Sequence, residues 1–467
     1  MERITFEAAL AMGPAAAREL YRLHAGVPVG LAADSERQNR WYTKAEGCRL
    51  WDEQGQVYLD FAHGDLLNLG HNPPQVLEAV RRVEEQPALV QAGLSPVGAA
   101  LLQNLAAVTP EPLRRAILTT SGAEAVEIAV ALARAATARP GVVSCRVPDV
   151  TPQIVHGTAP DAGAGGAAAA HDPLQPPPPG WKTVPYGDLE ALEAALAPGD
   201  VAALVIEPLG GDHGVIAPPA GYLRAAEGLC RKAGTLLIVN EADLGLGRAG
   251  SLFACEGDRI EPDILCLGPS LTGGVEPLGA AVTSEAVWRQ CVARSRAARN
   301  EGSLPKVTTR AAAAALATIE SIVEEGLAQR AAELGAYFQA RLRALQAQHP
   351  AVLKAVRGRG LVIGLEFHEL PQRPARLPFS APPRLGQGSP AGLVAHELFV
   401  RHRILTRVAP GDPGVLRLDP PLTVTREELD QVADALAQVL AGPPSPIGLA
   451  VRSARSALSG LLHRRGT

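Results

Sequence analysis

The chain has 467 residues, 47% hydrophobic and 20% charged, with a formal net charge of −4. That length supports a large buried core spread over two or more lobes, at an ordinary balance for a globular protein. No basic excess exists to neutralise phosphates, which excludes an electrostatically driven nucleic-acid binder.

The first 45 residues read as a helical and irregular lead-in. Leu50-Trp51-Asp52-Glu53-Gln54-Gly55-Gln56-Val57-Tyr58-Leu59-Asp60-Phe61 then reads as a hairpin closed by an Asp/Gly turn. Pro73-Pro74 opens a helix with Val76, Leu77, Val80 and Val83 at helical spacing. Strands are expected at 115–120, 201–207, 235–239, 264–267 and 279–282, and helices at 124–136 and 222–233. This alternation predicts an α/β sheet, mostly parallel, with helices on both faces. The run 160–180, with Gly163-Ala164-Gly165-Gly166 and Pro176 to Pro179, reads as a mobile surface loop, and a second such loop covers roughly 370–390. One long helix is expected from about 310 to 347, then an α+β part ending near Leu440. The tail 442–467 has a Pro-rich hinge and then a terminal helix, read as solvated or packed rather than as a membrane or partner motif.

The six cysteines are scattered without a CxxC pair. That fits reduced thiols and leaves no expected disulfide framework or metal site. Met1-Glu2-Arg3 opens no apolar run, and no span of about 20 apolar residues occurs. A cytoplasmic protein away from membranes is the expectation. Lysine is scarce: Lys44, Lys182, Lys232, Lys306 and Lys354.

Eight segments occur in a telling order. They are Leu50-Trp51-Asp52…Gly55…Tyr58-Leu59-Asp60-Phe61, Leu69-Gly70-His71-Asn72-Pro73-Pro74, and Ser121-Gly122-Ala123-Glu124-Ala125-Val126-Glu127. Then come Val184-Pro185-Tyr186-Gly187-Asp188-Leu189-Glu190-Ala191-Leu192, Ile206-Glu207-Pro208, and Gly245-Leu246-Gly247-Arg248-Ala249-Gly250. Arg357-Gly358-Arg359-Gly360-Leu361 and Arg417-Leu418-Asp419-Pro420-Pro421-Leu422 complete the set. From about Leu50 to Leu440 the chain therefore resembles the class III aminotransferases, the ornithine/acetylornithine/4-aminobutyrate group of pyridoxal phosphate (PLP) enzymes. The resemblance implies the fold-type I PLP-dependent transferase fold: a large α/β domain with a mostly parallel central sheet, plus a smaller α+β domain. The expected division is an N-terminal segment 1–70 contributing to the small domain, the large domain 71–330, the small domain 331–441 and the tail 442–467.

What the resemblance implies for the site is less regular. Pro262 to Gly274 resembles the cofactor-lysine segment, and Pro269 stands where the family has its Schiff-base lysine. Proline has no side-chain amine to form an imine. Ser121, Gly122 and Ala123 keep the turn that holds the PLP phosphate in relatives, or keep it only to pack a helix on the sheet. The family's stacking aromatic falls at Asp149-Val150-Thr151, or in a shifted alignment at Val155-His156-Gly157-Thr158, and neither supplies a ring. Asn240 replaces the aspartate that protonates the pyridine, and Asp243 replaces a glutamine. Leu304 stands at the threonine that one subunit lends its partner, with Ser303 or Lys306 still within reach of an anion.

Glu207 matches a glutamate near the substrate side. Arg417 matches an arginine that grips a substrate carboxylate, or serves as a structural ion pair. His63, Asp65, Asp212 and His213 fall in segments that line the pocket in relatives. With Asp149, Glu207 and Asp243 they would make an acidic pocket with acid/base capacity, although loops that merely contain Asp and His are the blander reading.

The expectation is a pseudo-transaminase without the lysine. It would be repurposed for PLP-independent acid/base catalysis on a small molecule, or serve as a binding or scaffold partner, as a homodimer. No cofactor is expected on that reading. PLP is expected only on the alternative, an atypical PLP-dependent aminotransferase.

Overall fold

The computed structural model describes residues 3–24, 40–146, 180–211, 214–294, 305–369 and 389–441. Asp149, His156, Asp212, His213, Ser303 and Leu304 lie outside the described residues, as do the runs 160–179 and 370–388 and the tail 442–467.

The apolar runs near the middle of the chain form the central sheet. Its strands are β4 (Leu113–Thr119), β5 (Gly141–Arg146), β6 (Trp181–Pro185), β7 (Val201–Ile206), β8 (Leu236–Asn240), β9 (Ile264–Leu267) and β10 (Gly279–Ser284). They lie in the order β4-β10-β9-β8-β7-β5-β6. β6, β5, β7, β8 and β9 run parallel, while β10 lies antiparallel to both β9 and β4. Every residue of β7 is buried. Successive strand residues face opposite sides, so Leu204 and Ile206 join one core cluster, and Ala203 and Val205 another. Burial on both sides is what an unbroken apolar strand between two helix layers requires.

The helix Gly122–Thr137 packs its buried Val126, Ala129 and Val130 on the second of these faces. Tyr222–Ala233 contributes Tyr222, Leu223, Ala226 and Cys230 to the first. Where one helix was expected from 310 to 347, two occur, Thr309–Glu324 and Leu327–Gln348. Gly326 separates them at φ 62°, a left-handed conformation that breaks the helical path.

Two smaller sheets flank the large one. β1 (Tyr42–Glu46), β2 (Arg49–Asp52) and β3 (Val57–Asp60) form a meander, and β13 (Ile404–Leu405) joins it parallel to β3. The lead-in therefore contains strand β1, which its polar composition did not announce. β11 (Leu353–Arg359), β12 (Val362–Phe367), β14 (Arg407–Ala409) and β15 (Asp412–Leu418) make an antiparallel sheet in the order β11-β12-β15-β14. The fold is the α/β architecture that the alternating pattern implied. No helix among the described residues is long and apolar enough to cross a membrane.

Candidate functional site

β7, β8 and β9 are parallel, and β4 runs the same way because both it and β9 oppose β10. All four end at one edge, which is where open α/β sheets present ligand sites. Four loops leave that edge, and they touch. A Cβ added at Gly122 would lie 2.6 Å from Ala242 Cβ and 3.3 Å from Gly268 Cα. One added at Gly268 would lie 2.3 Å from the Ala242 carbonyl oxygen. Glycine at 122 and 268 thus lets the loops after β4, β8 and β9 close on one another.

The loop after β4 opens the helix Gly122–Thr137. Ser121 caps it, its hydroxyl accepting from the Glu124 N–H at 3.2 Å. Glu124 in turn accepts from the Thr120 N–H at 2.7 Å and the Thr120 hydroxyl at 2.8 Å. The N–H groups of Gly122 and Ala123 have no acceptor among the described residues. With the helix dipole behind them they form an anion-attracting end.

At the end of β8, Asn240 is 3% exposed. Its amide nitrogen donates to Glu207 Oε1 at 3.3 Å, and its oxygen accepts from the Ala242 N–H at 3.2 Å. Both ends of the amide are held. The Glu207 backbone carbonyl accepts from the Tyr186 hydroxyl at 2.6 Å. Glu241 turns away from the edge, and its carboxylate accepts from the N–H groups of Ala254 and Cys255 at 2.6 and 2.8 Å. Burial raises its pKa despite those two donors. Asp243 follows in the same turn, half-buried. After β9, Pro269 starts the short 3₁₀ turn Pro269–Thr272.

Glu207, Asn240, Asp243, Pro269 and the turn 121–123 therefore share the sheet edge. Arg417 reaches it from β15, and a Cβ on Gly211, four residues beyond Glu207, would lie 3.4 Å from Arg417 Nη1. His63 bonds to the end of β3. Its Nδ1 lies 2.9 Å from Asp60 Oδ2, and His71 Nε2 reaches the same oxygen at 2.8 Å. Burial would raise the Asp60 carboxyl, but the bonds from His63, His71 and the Ala62 N–H hold it far below the usual carboxylate range. Asp149 and Ser303 lie outside the described residues.

Asp419, Arg248 and Arg407 carry no role in the sequence reading, yet they form a charged cluster with Arg417 and Asp65. The Asp419 carboxylate is fully buried and meets Arg417, Arg248 and Arg407, while Arg407 also pairs with Asp65. Alternation along a strand was the available signal: Arg417 and Asp419, two apart, project to the same face.

A sequence model of the family described as Aminotransferase class-III matches residues 31–440. The chain belongs to the class III aminotransferase family. Among solved structures, it resembles an acetylornithine aminotransferase from Elizabethkingia anophelis at 26% identity, covering 91% of this chain and 98% of that one, with a TM-score of 0.73. An ornithine aminotransferase from Toxoplasma gondii, described as having partial occupancy of PLP at its active site, matches at 28% identity over 94% and 95%, with a TM-score of 0.72. An amine transaminase from an uncultivated Pseudomonas species, in a PLP-bound (internal aldimine) form, matches at 27% identity over 85% and 93%, with a TM-score of 0.70. The expectation of a chain without a cofactor is corrected by these matches, because two of these solved relatives are described with PLP. The losses at Pro269, Asn240, Asp243, Leu304 and the stacking ring, taken together, point to a chain without a cofactor; relatives described with PLP overturn that expectation. Backbone N–H groups at a helix start do not depend on the side chains at Asn240 or Pro269.

Proposed function

We propose that this family member seats PLP by its phosphate at the Gly122 and Ala123 N–H groups but holds it without a lysine link, making it a pseudo-transaminase. The observation that carries the reading is the placement of amines. All five lysines (Lys44, Lys182, Lys232, Lys306 and Lys354) are exposed. Lys44, Lys232 and Lys354 pair with Glu46, Glu193 and Glu366. Pro269, which by the resemblance of its segment stands at the lysine position, offers no amine.

The remaining residues divide by function. The phosphate end fits the group: Ser121 fixes the helix start, and the N–H groups of Gly122 and Ala123 have no acceptor among the described residues. The ring end fits less well. Asn240 presents an amide already held by Glu207 and Ala242 N–H, with no charge to keep a ring nitrogen protonated. When bound, PLP supplies an electron sink beside an amine carbon. Without a lysine, Glu207 and Asp243 are the groups at this edge able to move a proton.

A homodimer belongs to the same reading. Leu89, Leu94 and Leu102 lie exposed within one segment, apolar surface that a partner copy would cover. Light scattering should give twice the chain mass.

The deciding experiment adds PLP to the purified protein, measures thermal stabilisation, reduces with borohydride and maps tryptic peptides by mass. Stabilisation with no phosphopyridoxyl-lysine is the expected result. In Pro269→Lys combined with Asn240→Asp, a modified lysine should appear at position 269. Stoichiometric modification of Lys306 or any other native lysine would overturn the reading in favour of an atypical PLP-dependent aminotransferase.

A further inference from the structure

Arg417 is the group at this edge best suited to a carboxylate, yet its guanidinium is already occupied. It is fully buried, and so is Asp419, two residues along. Arg417 Nε lies 2.8 Å from Asp419 Oδ2, and Nη2 donates to Oδ1 at 3.0 Å. The Nη2 contact is a hydrogen bond and the Nε contact an ion pair without hydrogen-bond alignment, so the Asp419 carboxylate lies against the face of the guanidinium on which a ligand's carboxylate would bind. Arg248 Nη2 donates to Asp419 Oδ1 at 2.9 Å, and Arg407 Nε donates to Oδ2 at 3.2 Å. Three hydrogen-bond donors, one from each arginine, therefore converge on one carboxylate. The backbone locks it as well: the Asp419 N–H donates to the Phe61 carbonyl at 2.7 Å, and the Asp419 carbonyl accepts from the Gly64 N–H at 2.8 Å. A Cβ at Gly64 would lie 2.5 Å from that carbonyl oxygen, so the two segments pack without slack.

We infer that Asp419 is an intramolecular occupant of the Arg417 guanidinium, so that the site selects amines lacking a carboxylate there over amino acids. An incoming carboxylate would have to displace one tethered two residues away, whose effective concentration exceeds that of a free ligand. Displacement would also leave Asp419 buried, ionised and short of a partner, beside a second negative charge. A neutral or cationic amine meets neither penalty. The cluster keeps one positive charge beyond its two carboxylates, Asp65 and Asp419. Arg248 carries unused donors, for its Nε and Nη1 have no hydrogen-bond partner among the described residues. Binding of an anion at those donors is the alternative that the test separates.

The inference rests on the PLP seat, and the test reads the two separately. The probes are the borohydride-reduced conjugates of PLP with putrescine and with L-ornithine, which differ by one carboxylate. PLP alone is the reference. Calorimetry on the full chain should find the putrescine conjugate about tenfold tighter, a difference of about 1.4 kcal/mol. Asp419→Asn should remove that preference by tightening the ornithine conjugate. Where Asp419→Asn does not fold, Arg417→Met decides: the ratio of the two affinities should stay within about twofold of the native ratio. Equal affinities in the native chain, a tighter ornithine conjugate, or a selective loss of the ornithine conjugate in Arg417→Met would overturn the inference. So would binding of PLP alone with neither conjugate, an outcome that leaves the phosphate seat standing. Failure of PLP itself to bind would overturn the seat instead.

Discussion

Asp419 is the residue on which the most charge converges. Burial alone would raise its carboxyl, but Arg417, Arg407 and Arg248 hold it far below the usual range. Asp419→Asn removes the anion and leaves the guanidinium groups facing one another. Losing one partner of a buried ion pair costs roughly 3–5 kcal/mol. Urea denaturation at neutral pH should show that loss, and a change below about 1 kcal/mol would mean that the arginines find other partners. The cysteines make the opposite point about burial. Burial pushes the Cys145 thiol up to about 11, with the Tyr222 hydroxyl partly offsetting it, and burial chiefly pushes Cys230 up to about 12. All six are free, and the thiolate is the reactive form. Native protein at pH 8 should therefore react slowly with a thiol reagent, and all six should react once it is unfolded. Rapid modification of Cys230 in the native state would contradict its burial.

Glycines join elements in two ways, and Gly326 and Gly268 separate strain from crowding. Gly326 sits between two helices at φ 62° with nothing within 4 Å of an added Cβ. Gly326→Ala should cost about 1–2 kcal/mol, from the left-handed backbone alone. Gly268 has an ordinary extended φ of −118°, but an added Cβ would strike the Ala242 carbonyl. Gly268→Ala must move the loop after β8 or the loop after β9, with an overpacking cost of roughly 1–3 kcal/mol. Because that loop carries Asn240 and Asp243, this variant should also weaken PLP-induced thermal stabilisation, whereas Gly326→Ala should leave it unchanged. Equal effects of the two on PLP would break the link between loop closure and the seat.

At the scale of the molecule, two buried carboxylates tie separate parts of the chain. Asp60 ends β3 and holds His63 and His71, while Asp419 follows β15 and holds Arg248 from the loop after β8. Both folded pKa values lie below their unfolded values. Such a group contributes its full stability above the unfolded value, about 3.9, and loses it as pH falls toward the folded one. Stability measured by urea should therefore fall steadily below about pH 4. Asp60→Asn should lower stability at neutral pH and flatten that acid limb. An unchanged limb would show that neither carboxylate governs acid unfolding.

Much of this was legible in the order of residues. The apolar runs at 201–207 and 264–267 marked buried strands, and the collinear motifs from Leu50 to Leu440 marked the family. The single helix expected over 310–347 failed at Gly326, because one glycine in a long periodic stretch does not declare its φ. Strand β1 was missed because Tyr42-Thr43-Lys44-Ala45-Glu46 is mostly exposed and lacks an apolar face. The side-chain changes at Pro269, Asn240 and Asp243 point away from a cofactor, whereas the relatives described with PLP point to one. The sequence by itself determined the alternation of strands and helices, the family, and the absence of an amine at Pro269, since each is a matter of residue type and spacing. Only the tertiary structure decided that Asn240 is held by Glu207, that His63 turns to Asp60, and that Asp419 occupies Arg417. These depend on which loops the packed sheet brings within hydrogen-bond distance, across separations such as the 171 residues between Arg248 and Asp419.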